Sequence, residues 1–175
     1  MQINPYNNPH NHIMIDIETY DTKPTAVILS IGACLIGNSS ICFYEEVHTE
    51  TQFERTTSIA TKEWWEKQVQ NPPIHGLNPL YHSLDRLALF LKTNTTGDPI
   101  IWCKGTDFDT AILTHAYNQL YIPVPWKYNN VRDCRTVYKI LGLSPEPAQH
   151  NALQDAQAQA VLLKDVITEY DLLWN

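Results

Sequence analysis

The segment HIMIDIET, residues 12–19, places the tightest constraint on how this chain folds. Its alternation predicts a β-strand with Ile13, Ile15 and Ile17 on one face and Met14, Asp16 and Glu18 on the other. A strand this apolar belongs inside a sheet. Two carboxylates on one of its faces are costly to bury unless something offsets their charge. A lysine or arginine would serve, and so would a divalent cation. A solvated strand face would avoid the problem altogether.

The flanking pattern predicts the rest of an α/β layer. TAVILSIGACLIG (25–37) reads as a second strand and SICFYEEVH (40–48) as a third, with the turn cluster Gly37-Asn38-Ser39 joining them as a hairpin. Helices are expected from Thr61, as cap, to about Val69, and from Ser83 to Thr93. Asn71-Pro72-Pro73 stops the first of these. A short buried strand at 99–103 precedes a helix from Asp107 to Leu120. A short strand is expected at Trp126–Tyr128, then helices over 133–141 and from Asn151 to about Tyr170. The order β-β-β-α-α-β-α-β-α-α implies a mixed sheet with helices packed on it: an antiparallel meander followed by β-α units.

A chain of 175 residues is enough for one domain with a sizeable core. That domain is expected over residues 12–175, behind a flexible Asn- and Pro-rich tail at 1–11. No run approaches the roughly 20 apolar residues of a membrane span. The polar N-terminus lacks the basic and apolar regions of a signal peptide, so a cytoplasmic location is expected. The four cysteines are scattered with no C-x-x-C pair, and buried reduced thiols are expected rather than zinc or disulfides. A net charge of −7 argues against sequence-independent binding of long duplexes, which needs a basic surface. It leaves room for a nucleic-acid enzyme whose positive charge comes from bound metal. His10-Asn11-His12 spells the signature of one class of metal-dependent enzymes. The ββα-metal pattern around it is missing, and histidines in a polar tail are expected to face solvent.

Two further clusters bear on chemistry. In WCKGTDFDTAIL (102–113) a strand ends, Gly105 permits a turn, and Asp107 is expected to cap the helix. Asp109 has no capping duty and would project at the carboxyl end of the strand, where ligands gather in α/β sheets. In HNALQDAQ (150–157), Asn151 and Gln154 match a capping arrangement. A mobile His150 imidazole would then arch over Asp155, and Leu153, Ala156, Ala160, Leu163 and Ile167 form an apolar stripe. Taken together, Asp16, Glu18, Asp109 and Asp155 would repel one another at a common site. A divalent cation relieves that repulsion, and oxygen-only ligands select Mg²⁺ or Mn²⁺.

MIDIET, WCKGTDFD and HNALQDAQ resemble the three motifs of the DEDDh 3′–5′ exonucleases, in the ribonuclease-H-like superfamily of the polymerase proofreading exonucleases. The resemblance spans residues 13–163. TKEWWEKQ (61–68) and W-C-K-G-x-x-F-D look like a phage and bacterial subgroup that acts on DNA or RNA. The family often has Asn ahead of the F-D, where this chain has Gly105 and Asp107.

The resemblance implies a ribonuclease-H-like domain with a mixed five-stranded sheet. It implies two Mg²⁺ or Mn²⁺ ions on Asp16, Glu18, Asp109 and Asp155, with His150 as general base. The expected activity is two-metal hydrolysis of single-stranded DNA or RNA from 3′ ends, releasing nucleoside 5′-monophosphates. Because His150 must be neutral, activity should fall in acid. The backbone around Ile17 to Thr19 would hold the terminal nucleotide. Trp64 and Trp65 point to different sides of their helix, so one is expected in the core and the other free to stack on a base; Trp65 and Phe108 are candidates for that contact, with packing as the alternative for each. Lys104, Arg132 and Arg135 are candidates for phosphates. Relatives include dimers, so a homodimer is among the expected states. The alternatives are an oligoribonuclease-like phosphodiesterase of very short oligonucleotides and a module that binds nucleic acid without cleaving it.

Overall fold

Strand β1 (His12–Thr19) is the middle of a five-stranded sheet in the order β3-β2-β1-β4-β5. The computed structural model describes residues 9–145 and 147–170. β2 (Ile28–Leu35) runs antiparallel to β1, and β3 (Asn38–Glu46) antiparallel to β2. β4 (Ile100–Cys103) and β5 (Val131–Asp133) lie parallel on the other side. The meander and the parallel strands are thus both present.

Helices cover both faces. Ile13, Ile15 and Ile17 pack with Leu84, Leu87 and Leu91 of α2 (Leu80–Asn94) and with Ile112, Leu113 and Tyr117 of α3 (Asp109–Gln119). On the opposite face Met14 and Trp102 pack with Tyr138 of α4 (Cys134–Ile140) and with Ala156, Ala160 and Leu163 of α5 (Ala152–Tyr170). The alternation of β1 therefore sorts its side chains between two cores. Ile167 lies on α5 outside the described side chains. No helix among the described residues is long and apolar enough to cross a membrane.

Local differences from expectation have physical causes. The first helix, α1, spans Ile59–Trp65 and is capped by Ser58, whose hydroxyl accepts from Thr61 N–H, so Thr61 is not the cap. The helix stops early because Val69 is fully exposed and offers no burial to extend it. α2 starts earlier than Ser83, just after Pro79, and buries Leu80. Trp126–Tyr128 is not a strand. Trp126 packs edge-on against Tyr117, ring centroids 5.7 Å apart, and pairing is made by the half-buried Val131–Asp133 instead. The expectation of a loose tail through residue 11 and a solvent-facing His12 is also overturned. Pro9–Asn11 form a 3-10 turn, and buried Asn11 accepts from Thr96 N–H at 2.8 Å. His12 is buried in β1, where its Nδ1 accepts from the Trp102 indole at 2.9 Å. Residues 1–8 lie outside the described residues. All four cysteines are free thiols, and Cys42, unlike the other three, is exposed.

The approach of α5 to the sheet decides where the site forms. Gly32 lies opposite Asp16 in the β1–β2 ladder. A Cβ at Gly32 would sit 2.2 Å from the Ala152 carbonyl. Only a bare glycine lets the first turn of α5 rest on β2 at that point. The buried alanines 152, 156 and 160 keep the helix low over the strands, and the Cys34 thiol reaches the Ala156 carbonyl at 3.3 Å. This close seating carries Asp155 to Asp16.

Candidate active site

Three oxygens, one each from Asp16, Glu18 and Asp155, lie within 4.8 Å of one another. Asp16 and Glu18 come from the end of β1, where the ladder shifts register between Glu18 and Thr19. Asp109 is held beside them. The β1–β4 pairing runs from His12 to Met14, and past it the Ile17 N–H donates to Asp109 Oδ1 at 3.1 Å. This bond satisfies a buried amide and locks a carboxylate against the strand. Asp109 opens α3 at Phe108–Asp109 without a side-chain cap. Asp107, expected as the cap, is exposed, and the turn is closed by the Phe108 and Asp109 N–H groups on the Gly105 carbonyl. Gly105 has φ +129, which favours glycine.

The electrostatics are those of crowded like charges. Burial first, then Asp109, Glu18 and Asp155, push the Asp16 carboxyl well above its ordinary range, while the Gln159 amide pulls it back. Glu18 is pushed up to about 8 by burial, then by Asp155 and Asp109. Burial raises Asp109 to about 7 against the opposing Ile17 N–H. The ion pairs among the described residues, Arg86–Glu45 and Lys127–Asp98, involve none of these groups. Of the ways to offset the charge of β1, a lysine or arginine salt bridge is thus not the one used. The donor set of this cluster is carboxylate oxygen only, the chemistry of a hard divalent cation's ligands.

Asp155 has a second duty. Its Oδ1 accepts from Gln149 N–H at 2.8 Å and its Oδ2 from Asn151 N–H at 3.2 Å. The residue between them is His150, held at φ +58. Asn151 caps α5, accepting from Gln154 N–H at 3.1 Å. The His150 ring lies edge-to-face with Trp64 at 4.7 Å and with Trp65 at 6.3 Å. The mobile imidazole expected above Asp155 is instead pinned on both flanks of its backbone and along its ring.

Asp16, Glu18, Asp109, Asp155, His150 and Trp64 line one cavity of about 520 Å³, within the range of about 300–1,000 Å³ usual for small-molecule sites. Phe108 and the Ile17–Thr19 segment line it too. In that segment the Ile17 N–H is engaged by Asp109, and the Thr19 carbonyl accepts from the Trp65 indole at 3.0 Å. Those two groups are therefore committed to the protein. Trp65 is only 2% exposed, packed with Val27 and Leu29, whereas Trp64 is 40% exposed. Both tryptophans line the cavity, Trp64 with the more exposed ring and Trp65 largely buried, as its packing alternative has it.

Gln159 was missed from sequence. It is 8% exposed, and its Nε2 donates to Asp16 Oδ1 at 3.1 Å. Its position, one helical turn after Asp155 and on the same face, was the available signal.

A mixed β3-β2-β1-β4-β5 sheet with helices on both faces, and acidic side chains converging at the end of its central strand, is an arrangement of the ribonuclease-H-like fold. Solved structures share the fold. The nuclease domain of 3′hExo, described as a DEDDh family member bound to rAMP, superposes with a TM-score of 0.61 at 13% identity over 93% of each chain. S. pombe Pop2p, in an Mg²⁺- and Mn²⁺-bound form, gives 0.62 at 14% identity over 92% of this chain and 84% of that one. Cell-death related nuclease 4 gives 0.55 at 11% identity over 90% of this chain, which spans 64% of that protein's length. The chain belongs to the 3′-5′ exoribonuclease Rv2179c-like domain family, whose model matches residues 11–167, and it is a 3′–5′ exonuclease. No curated protein sequence matches it.

Proposed function

We propose that the protein removes nucleotides one at a time from the 3′ ends of single-stranded RNA in the cytoplasm, using two Mg²⁺ or Mn²⁺ ions. The observation that carries this reading is the convergence of Asp16, Glu18 and Asp155 on one spot, with Asp109 alongside and His150 at its rim. The description of the family as exoribonucleases favours RNA over DNA.

Asp16, Glu18 and Asp155 would hold the cations, with Asp109 completing the negative field. Bound cations supply a more acidic water and a positive field at the scissile phosphate. The protein's own groups do the rest. An imidazole nitrogen of neutral His150 takes the proton of the attacking water. Trp64 fixes the plane of that ring, and Asp155 fixes the backbone that carries it. Gln159 orients Asp16 through its amide. The cavity wall formed by Trp64 and Phe108 encloses the terminal nucleotide and reduces competing water.

The test uses matched single-stranded RNA and DNA, labelled at either end, with Mg²⁺ or Mn²⁺ and products sized over time. Expected are loss of the 3′ label first, nucleoside 5′-monophosphates as products, faster turnover of RNA, and little turnover by His150→Ala. Equal activity of that variant and wild type removes the assigned mechanism. Faster loss of DNA assigns the opposite sugar preference, and Mn²⁺ binding without turnover identifies a non-cleaving module.

A further inference from the structure

Resting on the exonuclease reading above, the geometry points to Lys104 as the residue that binds the phosphate next upstream of the scissile one, with an adjoining hollow receiving that nucleotide unit. The hollow is about 230 Å³ and is lined in part by Ser144, Ala158 and Leu162. It shares Lys104, Ala148, Asp155 and Gln159 with the catalytic cavity, so the two spaces meet along one wall. Among the described residues Lys104 is the only lysine or arginine lining either space.

Elimination supports the choice. Arg135 donates from Nη2 to the Lys104 carbonyl at 2.5 Å, and its guanidinium closes on Gly105, where a Cβ would lie 2.9 Å from Nη2. Arg132 donates from Nη1 to the Asn129 and Val131 carbonyls at 2.6 and 2.9 Å. Both arginines therefore fasten backbone. Arg135 in particular fixes the turn that presents Lys104, leaving the lysine in neither of the two ion pairs found among the described residues. A polyanionic strand approaching four carboxylates on a chain of charge −7 needs a cation at the margin to set its register. A lysine at the boundary between the terminal-nucleotide cavity and the next space meets that need as a point charge. Gln159 Oε1, buried on the shared wall with no hydrogen-bond partner among the described residues, is an acceptor suited to a hydroxyl or N–H of the nucleotide unit rather than to its phosphate.

The experiment pairs protein and substrate changes. A short RNA carries an uncharged methylphosphonate at the linkage immediately 5′ of the scissile one. Wild type, Lys104→Met, Lys104→Gln and Lys104→Arg are compared on this RNA and on the unmodified strand, with thermal melting and Mn²⁺ binding confirming that each variant is folded. Neutralising the linkage should raise the wild-type KM about tenfold, the scale of one charged hydrogen bond. Lys104→Met and Lys104→Gln should show that rise on the unmodified strand and no further rise on the methylphosphonate. The effect should fall on KM rather than kcat. Lys104→Arg should recover most of the discrimination. The slope of log affinity against log salt should shrink by about 0.7 on removing the charge. An undiminished methylphosphonate penalty in the variants, or none in wild type, overturns the assignment while leaving the exonuclease intact. Failure of wild type to degrade either strand would instead remove the exonuclease reading, and this one with it.

Discussion

The two faces of β1 share one backbone and differ in what they ask of their surroundings. Ile13, Ile15 and Ile17 meet α2 and α3 in a core with no charge to place. Met14, Asp16 and Glu18 start on the same kind of surface under α5, and within four residues pass from apolar packing to crowded carboxylates. The first face draws its stability from burial and dispersion. The second works against stability, since burial and repulsion from neighbouring carboxylates raise Asp16 and Glu18, and burial raises Asp109. A functional site here is a stretch of core whose local preference has been reversed and whose strain the opposite face tolerates.

This contrast is open to direct attack. The largest effect is expected from Asp16→Ala, which should lower the rate of nucleotide release by about a thousandfold or more, because the carboxylates act as a unit. The same change should raise the melting temperature of metal-free protein, since it removes a crowded buried charge. A melting temperature that falls instead would break the proposed opposition between the faces. On the other face, Ile15→Ala should cost about 2–5 kcal/mol in denaturant unfolding. The activity of the molecules that remain folded at low temperature should be nearly unchanged. A large loss in kcat there would mean that the faces are not separable.

Gly32→Ala sharpens the comparison further, for it alters neither set of side chains. Its Cβ would collide with the Ala152 carbonyl and lift the start of α5. Mn²⁺ affinity, measured by calorimetry, should weaken by about ten- to a hundredfold, as when a supporting shell is disturbed. Unchanged affinity would show that Asp155 does not depend on that close seating. The last test concerns pH. Native Glu18 and Asp109 hold protons up to about 8 and about 7. Unfolded carboxyls release theirs near about 4. Unfolding therefore releases protons across that window, and the stability of chelator-treated protein should fall as pH rises from about 4 to about 8. The melting temperature should drop steadily across that window, and Mn²⁺ should restore more at the alkaline end. A melting temperature flat across the window in chelator would show that the carboxyls are not crowded.

Legibility in the sequence followed the range of the interactions involved. β1, the hairpin and the Asn151-capped α5 were readable because period and capping are local. So was the membership of Asp16, Glu18, Asp109 and Asp155 in one site, through three motifs whose spacing resembles a known family. β5 was misplaced because a short, half-buried edge strand carries little periodic signal, while the aromatic run before it carries a misleading one. The cap of α3 was misassigned because backbone bonds to Gly105 replaced the side chain. Which of Trp64 and Trp65 packs in the core stays open in the sequence because adjacent helical residues look alike until the sheet buries one of them.

The amino-acid order alone determined the alternation that separates isoleucine from carboxylate along residues 13–18, and with it the need to offset or solvate two carboxylates on an apolar strand. Folding in three dimensions decided how that need arises at full strength. Gly32 admits α5, Ile17 N–H captures Asp109, and Asp155 clamps both sides of His150. Each of these contacts joins positions far apart in the chain or turns on the left-handed backbone of one residue. Such contacts depend on the packing of whole elements against one another, which no local pattern encodes.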